Sequence, residues 1–162
     1  MSLDKLLKNV DIVNITGQSK AVVTGIASKH QTVKDGYAWI CYKGVHVDGH
    51  QFINLAIEKG AKVIIGDHPR PKDLPSHVTY VQTSSGRIAL AQIAANWFLQ
   101  PAKQLKLTGI TGTNGKTSTA YFAESIFKAT GIRTALIGTI DYHFGEFILP
   151  ANTTTPDQIR LH

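Results

Sequence analysis

A chain of 162 residues, 43% of them apolar, can close one ordinary core that buries roughly 70% of its unfolded surface. No run approaches the roughly 20 apolar residues that span a bilayer, and the opening MSLDKLLKN reads as a short polar helix rather than an export signal, so a soluble, cytoplasmic chain without membrane insertion is expected. The formal charge of +6 comes from Lys and Arg scattered singly, with no basic run or interleaved aromatic stripe, which argues against a nucleic-acid partner and suits small polyanionic ligands.

In chain order the pattern alternates strand-like and helix-like segments, the signature of an α/β layer fold with a mainly parallel sheet. Ala21 to Ser28 and Tyr37 to Lys43 read as strands, separated by a turn ending in Asp35-Gly36. His50 to Lys59 has helical spacing, and Gly60 is placed to end that helix in a left-handed conformation. Ala61 to Gly66 and Val78 to Thr83 read as further strands; between them His68 to Pro75 holds three of the six prolines and is a surface loop. Gly86 to Gln100 predicts a long helix with Ile88, Ala91, Ile93, Ala95, Trp97 and Phe98 on its core face.

Pro101 stops that helix, and the short polar segment Gln100 to Gln104 is the expected domain boundary. Residues 1–100 would then form one domain and residues 105–162 the start of another. The second begins with an apolar strand, Leu105 to Thr111, then a Gly-rich turn and a helix from about Lys116 to Thr130 closed by Gly131. A strand from Arg133 to Ile140 completes a βαβ unit, Asp141 to Leu149 alternates about Gly145 as a hairpin, and Thr155-Pro156-Asp157 has the form of a helix start running to His162. Cys41, the single cysteine, lies in an apolar run and is expected to be buried. The seven histidines show no HxxxH pair or Cys/His cluster, so no metal site built from side-chain nitrogen is expected.

The chemically informative stretch is Thr111-Gly112-Thr113-Asn114-Gly115-Lys116-Thr117-Ser118, between strand and helix. Gly112 and Gly115 let the backbone turn its N–H groups toward phosphate oxygens, and the helix N-terminus adds a positive dipole. Lys116 supplies a mobile charge for the β and γ phosphates and the Thr117 hydroxyl can ligate Mg²⁺. Gly112, Thr113, Asn114, Gly115, Lys116, Thr117 and Ser118 are therefore the expected ATP-binding residues, with Lys116 and Thr117 catalytic. The GxxxxGK[ST] pattern is imperfect, because Ile110 stands five before Gly115 and Gly109 lies one earlier.

The form TGTNGKT resembles the ATP loop of the Mur ligase superfamily, which also includes folylpolyglutamate and cyanophycin synthetases. Two further segments resemble the MurE type, the UDP-N-acetylmuramyl-tripeptide synthetases. Ile26-Ala27-Ser28-Lys29 and Gly44-Val45-His46-Val47-Asp48-Gly49-His50-Gln51-Phe52 match its DSR and G-x-x-x-D-G-x-x-F/Y segments, with Ala27 and Lys29 standing where that pattern has Asp and Arg. Asn152-Thr153-Thr154-Thr155-Pro156-Asp157 resembles its NTTPD segment with one extra threonine.

The resemblance implies a MurE-like N-terminal α/β domain followed by the start of a P-loop central domain. It implies Ile26, Ser28, Val45, His46, Val47, Asn152, Thr153, Thr154 and Thr155 as contacts to a UDP-MurNAc-peptide, and ATP with Mg²⁺ as cofactors. The implied reaction, in the bacterial cytoplasm, phosphorylates the free carboxylate of UDP-MurNAc-L-Ala-D-Glu and lets a diamino acid attack the acyl phosphate. Lysine and meso-diaminopimelate both remain open as that diamino acid. A MurE-type enzyme continues well beyond this length, so the chain alone is expected to lack ligase activity and to bind ATP weakly, as a monomer. Two other readings stay open: a folylpolyglutamate- or cyanophycin-synthetase-like ligase, and a non-catalytic nucleotide-binding module.

Overall fold

The computed structural model describes residues 1–18, 20–159 and 161. They fall into two compact units, Met1–Gln104 and Leu105–Leu161.

The first unit is built on a five-stranded sheet. After a one-turn helix α1 (Leu3–Leu6) come β1 (Ile12–Thr16), β2 (Gly25–Ala27), β3 (Tyr37–Ile40), helix α2 (Ile53–Glu58), β4 (Val63–Gly66), β5 (Thr79–Thr83) and helix α3 (Gly86–Trp97). The sheet order is β1-β5-β4-β3-β2, with β1 antiparallel to β5 and the other neighbours parallel. Strand β4 is buried along its whole length, as parallel strands covered on both faces must be. Trp39, Ile64 and Tyr80 pack against α2 and the segments around it, in a cluster with Val33, Ile53 and Ala56. Alternation sends Ala38, Ile40, Val63, Ile65 and Val81, all buried, to the opposite face. There α3 packs against β3 and α1, and the buried Asn96 amide donates to the carbonyls of Leu6 (2.9 Å) and Lys8 (2.7 Å).

Several expectations are met here. Gly60 takes φ 97° after α2; an added Cβ there would stand 2.7 Å from the Asp35 Cα, so glycine is required. Cys41 is buried, and its thiol pKa is pushed up by that burial and by Asp67 and Asp48. The core face of α3 differs from its prediction. Ala89, Leu90, Ile93 and Ala94 are buried, whereas Ile88, Ala91 and Phe98 are exposed. The helix carries apolar residues all round, so periodicity does not single out a face, and the buried side combines Leu90 and Ile93 with the small Ala89 and Ala94. Strand β1 had no counterpart in the sequence reading.

The second unit holds α4 (Lys116–Ala129), β6 (Ala135–Ile137), β7 (Asp141–Phe144) and β8 (Phe147–Pro150). The three strands form an antiparallel sheet in the order β6-β7-β8, and Gly145, at φ 60°, turns the β7–β8 hairpin. The predicted strand Leu105 to Thr111 does not form: residues 106–112 carry no regular structure, and Leu105 and Leu107 are 62% and 75% exposed. A parallel strand needs a neighbour to bond and cover on both faces; β6 pairs antiparallel with β7, and no described strand pairs with residues 106–112. The βαβ unit is thus replaced by a helix and an antiparallel sheet. The helix predicted from Thr155 is also absent from the described residues. The segment makes turns in which the Asp157 carboxylate, rather than Thr155, accepts from the backbone N–H of Ile159 (3.1 Å). The predicted end of that helix, at Arg160 and His162, lies outside the described residues.

Candidate functional site

Helix α4 begins where the Gly-rich turn ends. Gly115, its N-cap, sits at φ 75°, ψ −5°, and Gly112 takes φ 153°. Side chains rarely adopt such angles, so two glycines are what allow the backbone to bend here. The N-cap makes no side-chain hydrogen bond, and the first bond back into the turn is from the N–H of Thr119 to the Gly115 carbonyl (2.9 Å). Helix geometry leaves the preceding N–H groups without an intrahelical acceptor. Residues 111–116 and Ser118 are all exposed, so these donors face solvent at the positive end of a 14-residue helix.

The Lys116 ammonium folds over this turn and donates to the carbonyls of Gly112 (2.5 Å) and Thr113 (3.4 Å). A cation held only by neutral carbonyls at an exposed position is readily drawn to an anion in the same place. The Thr117 hydroxyl lies 3.3 Å from that of Thr139, a partner the sequence reading did not include. Thr113, Asn114 and Ser118 complete the turn without entering the core.

Behind the turn, α4 is locked to the hairpin by a polar chain. Glu124, on α4, receives Lys128 at 3.0 Å and faces His143 Nδ1 at 3.0 Å, while His143 Nε2 lies 2.9 Å from Asp141. The Tyr121 hydroxyl donates to the same Asp141 oxygen at 2.5 Å, which pushes the Tyr121 pKa up to about 12 and holds that of Asp141 down. Burial alone would lower the His143 pKa, but its hydrogen bonds to Glu124 and Asp141 outweigh this and raise it. Burial works against ionised Glu124 as well, and Lys128 and His143 reverse it, lowering its pKa.

A raised histidine stabilises the fold fully below its unfolded pKa of about 6.5 and loses that contribution as pH rises through the folded value. The two lowered carboxylates act oppositely, losing theirs as pH falls from about 4 through their folded values. The expected result is that amide protection of α4 and β7 is greatest in mildly acidic buffer and declines toward alkaline pH. In His143→Gln the alkaline decline disappears, as hydrogen exchange across that range will test.

The expected sugar-nucleotide contacts fall in both units. In the first, β2, β3 and β4 run parallel, so the residues that follow them share the C-terminal edge of the sheet, where open α/β sheets bind ligands. Ser28, half-buried, follows β2. The turn Gly44 to Val47 follows β3, closed by a bond from the Gly44 N–H to the Val47 carbonyl (2.9 Å) and a bridge between Lys43 and Asp48. Val45 and His46 are exposed at its tip, and Val47 is 51% exposed. Ile26 is a core residue of β2, so its side chain is not offered to a ligand.

In the second unit Asn152, Thr153, Thr154 and Thr155 are exposed. The Tyr142 hydroxyl donates to the Thr153 carbonyl (2.5 Å), and the Thr153 hydroxyl to the Thr155 carbonyl (2.7 Å). Beside them a cavity of about 220 Å³ is lined by Tyr142, Phe144, Leu149, Pro150, Asn152 and Pro156. Tyr142 reads in the sequence as one more alternating aromatic, and nothing there marks it as the support of the threonine run.

Comparison with known proteins bears on both units. Residues 22–98 match the profile described as "Mur ligase family, catalytic domain", and residues 110–162 match "Mur ligase middle domain". A UDP-N-acetylmuramoyl-L-alanyl-D-glutamate–2,6-diaminopimelate ligase of Clostridium perfringens is 40% identical over 162 residues, all of this chain and 33% of that protein. One from Aquifex aeolicus is 42% identical over 140 residues, 86% of this chain and 28% of that protein. Among solved structures, MurF from Acinetobacter baumannii aligns with a TM-score of 0.57 at 26% identity, over 79% of this chain and 27% of that one. A solved 2,6-diaminopimelate ligase of the first kind shares the fold over 99% of this chain and 32% of its own, with a TM-score of 0.69 at 20% identity. The chain spans about a third of the length of the curated relatives it matches. No described helix is long and apolar enough to cross a membrane. With one family profile matched on each side of Gln104, and relatives aligned from end to end of the chain, this protein belongs to the Mur ligase family and carries its N-terminal and middle-domain segments.

Proposed function

We propose that this chain is the sugar-nucleotide- and ATP-binding part of a ligase that adds diaminopimelate to UDP-MurNAc-L-Ala-D-Glu. The observation that carries the proposal is the exposed turn Gly112 to Ser118: two glycines at positive φ, a run of outward N–H groups and one ammonium, at the start of α4.

These residues fit Mg-ATP. The N–H groups of the turn would hold the phosphates, Lys116 would neutralise the β and γ groups, and the Thr117 hydroxyl would hold Mg²⁺. When bound, Mg-ATP supplies the phosphoryl group that activates a carboxylate for amide formation. The chain's own part is positioning: bringing two anions together and compensating their charge. The sugar nucleotide is assigned to Ser28 and the Val45–Val47 turn of the first unit; in the second, Asn152, Thr153, Thr154 and Thr155 offer neutral donors to a polar substrate group. Relatives named for 2,6-diaminopimelate support that amino acid over lysine. A complete α/β unit ahead of Lys116 favours this reading over a folylpolyglutamate-synthetase-like one.

The test is ADP release by a protein carrying this chain at its relatives' length, with UDP-MurNAc-L-Ala-D-Glu and either diaminopimelate or lysine. Release that requires the muramyl dipeptide and prefers diaminopimelate is expected. Release that ignores the muramyl substrate would overturn the assignment.

A further inference from the structure

The sequence gives its histidines no metal-ligand spacing, yet the fold gathers two of them with two carboxylates at the C-terminal edge of the first unit's sheet. Asp48 ends the Gly44–Val47 turn, His50 follows it, and Asp67 and His68 follow β4. Asp48, His50 and His68 each offer a ligand atom, all within 4.8 Å of one another. The His50 and His68 rings are stacked, with centroids 3.8 Å apart and planes 9° apart.

The hydrogen-bond inventory of His50 is the telling feature. Its side chain is 9% exposed. Nδ1 lies 2.7 Å from Asp48 Oδ1, which also accepts the His50 backbone N–H at 3.0 Å. Nε2 lies 3.3 Å from Asp67 Oδ1, and both of those atoms are buried without a hydrogen-bond partner. A singly protonated imidazole has one donor and one acceptor, so it cannot satisfy a carboxylate on each nitrogen. A ring that binds a metal through one nitrogen and donates its N–H to a carboxylate through the other satisfies both. Asp67 is itself fixed, because its second oxygen accepts the Gly86 N–H at the start of α3 (3.0 Å). Gly66 provides the space, since a Cβ there would stand 2.8 Å from His50 Nε2.

We propose that Asp48, His50 and His68 bind a divalent transition-metal ion of the zinc class, with Asp67 orienting His50. Two imidazoles and a carboxylate suit such an ion and not Mg²⁺ or Ca²⁺. Parallel lone pairs do not converge on one ion, so His68 turns on binding, which its 46% exposed side chain allows. The ion ties the Gly44–Val47 turn to the end of β4 and so rigidifies one wall of the edge where Ser28 lies.

The test uses the tag-free chain, stripped with a chelator and titrated with Co²⁺ while its visible d–d absorption is followed, then back-titrated with Zn²⁺. One equivalent of Co²⁺ in a low-symmetry site, displaced by Zn²⁺, is expected. His68→Ala, at a partly exposed position, keeps the far-ultraviolet dichroism and weakens the affinity by at least about tenfold; Asp67→Asn, acting through His50, weakens it by about tenfold to a hundredfold. An unchanged spectrum on adding Co²⁺ to the parent chain overturns the proposal. Equal Co²⁺ affinity in parent and His68→Ala overturns it as well.

Discussion

Lys116→Ala is expected to lower kcat by about a thousandfold or more, measured in a protein carrying this chain at its relatives' length, while leaving the fold intact. Lys116 is exposed and, among the described residues, bonds only the carbonyls of its own turn, so its removal costs the folded chain little. On the proposed function its value arises with a triphosphate present, when its point charge offsets phosphate charge. Lys116→Arg should recover little of the loss. A planar guanidinium on a different stem places its donors elsewhere, and the tight bend at Gly112 and Gly115 leaves the turn no simple way to adjust. Turnover and nucleotide binding measured together separate this account from a folding defect, because dichroism and unfolding midpoint should match the parent. Near-parental turnover in Lys116→Ala would remove the residue from the reaction.

The second large effect is on stability. Trp39→Ala should destabilise the first unit by about 3–5 kcal/mol, a large fraction of the roughly 5–15 kcal/mol available to a domain. Trp39 is 1% exposed in the central part of the sheet, between Ala27 on β2 and Ile64 on β4, and it packs with Tyr80 and Ile53. Truncation there leaves a cavity that strands held on both sides cannot close. Denaturant unfolding followed by far-ultraviolet dichroism reads the change. A loss below about 1 kcal/mol would mean that the site relaxes, contrary to the close packing of buried sheets. The loss should carry over to the C-terminal edge, because β2 and β3 position Ser28 and the Gly44–Val47 turn.

The first unit was largely legible because its strands are buried on both faces and therefore read as short apolar runs bounded by turn residues. Tyr37–Ile40, Val63–Gly66 and Thr79–Thr83 were all found this way. β1 was missed because it is an edge strand, exposed from Val13 to Thr16, whose pairing with β5 depends on a segment about seventy residues away. The face of α3 is not legible because apolar residues surround the helix, so that Ile88 and Ala91 read like core positions although both are exposed. In the second unit the helix and the hairpin were local, set by Gly131 and Gly145. The strand before the turn was not local, since an apolar stretch such as Leu105 to Ile110 becomes a strand only when another strand lies beside it.

The candidate site divides in the same way. The proposed phosphate turn is contiguous, so spacing along the chain is enough to suggest a role for each of its residue types. Asp141, Tyr142 and His143 reach their positions through the hairpin, where Asp141 and His143 meet Tyr121 and Glu124 of α4. The Asp48–His50–His68 group depends on β3 and β4 ending at one edge of the sheet. No spacing rule along the chain connects His50 with His68.

The central claim is that the turn Gly112 to Ser118 holds a triphosphate through its backbone N–H groups. It is tested most directly by following the amide resonances of the chain while Mg-ATP is added. The account predicts weak, saturable shifts centred on Gly112, Thr113, Asn114, Gly115, Lys116 and Thr117, greatly reduced in Lys116→Ala. Shifts confined to other parts of the chain at saturating nucleotide, with these amides unmoved, would contradict it.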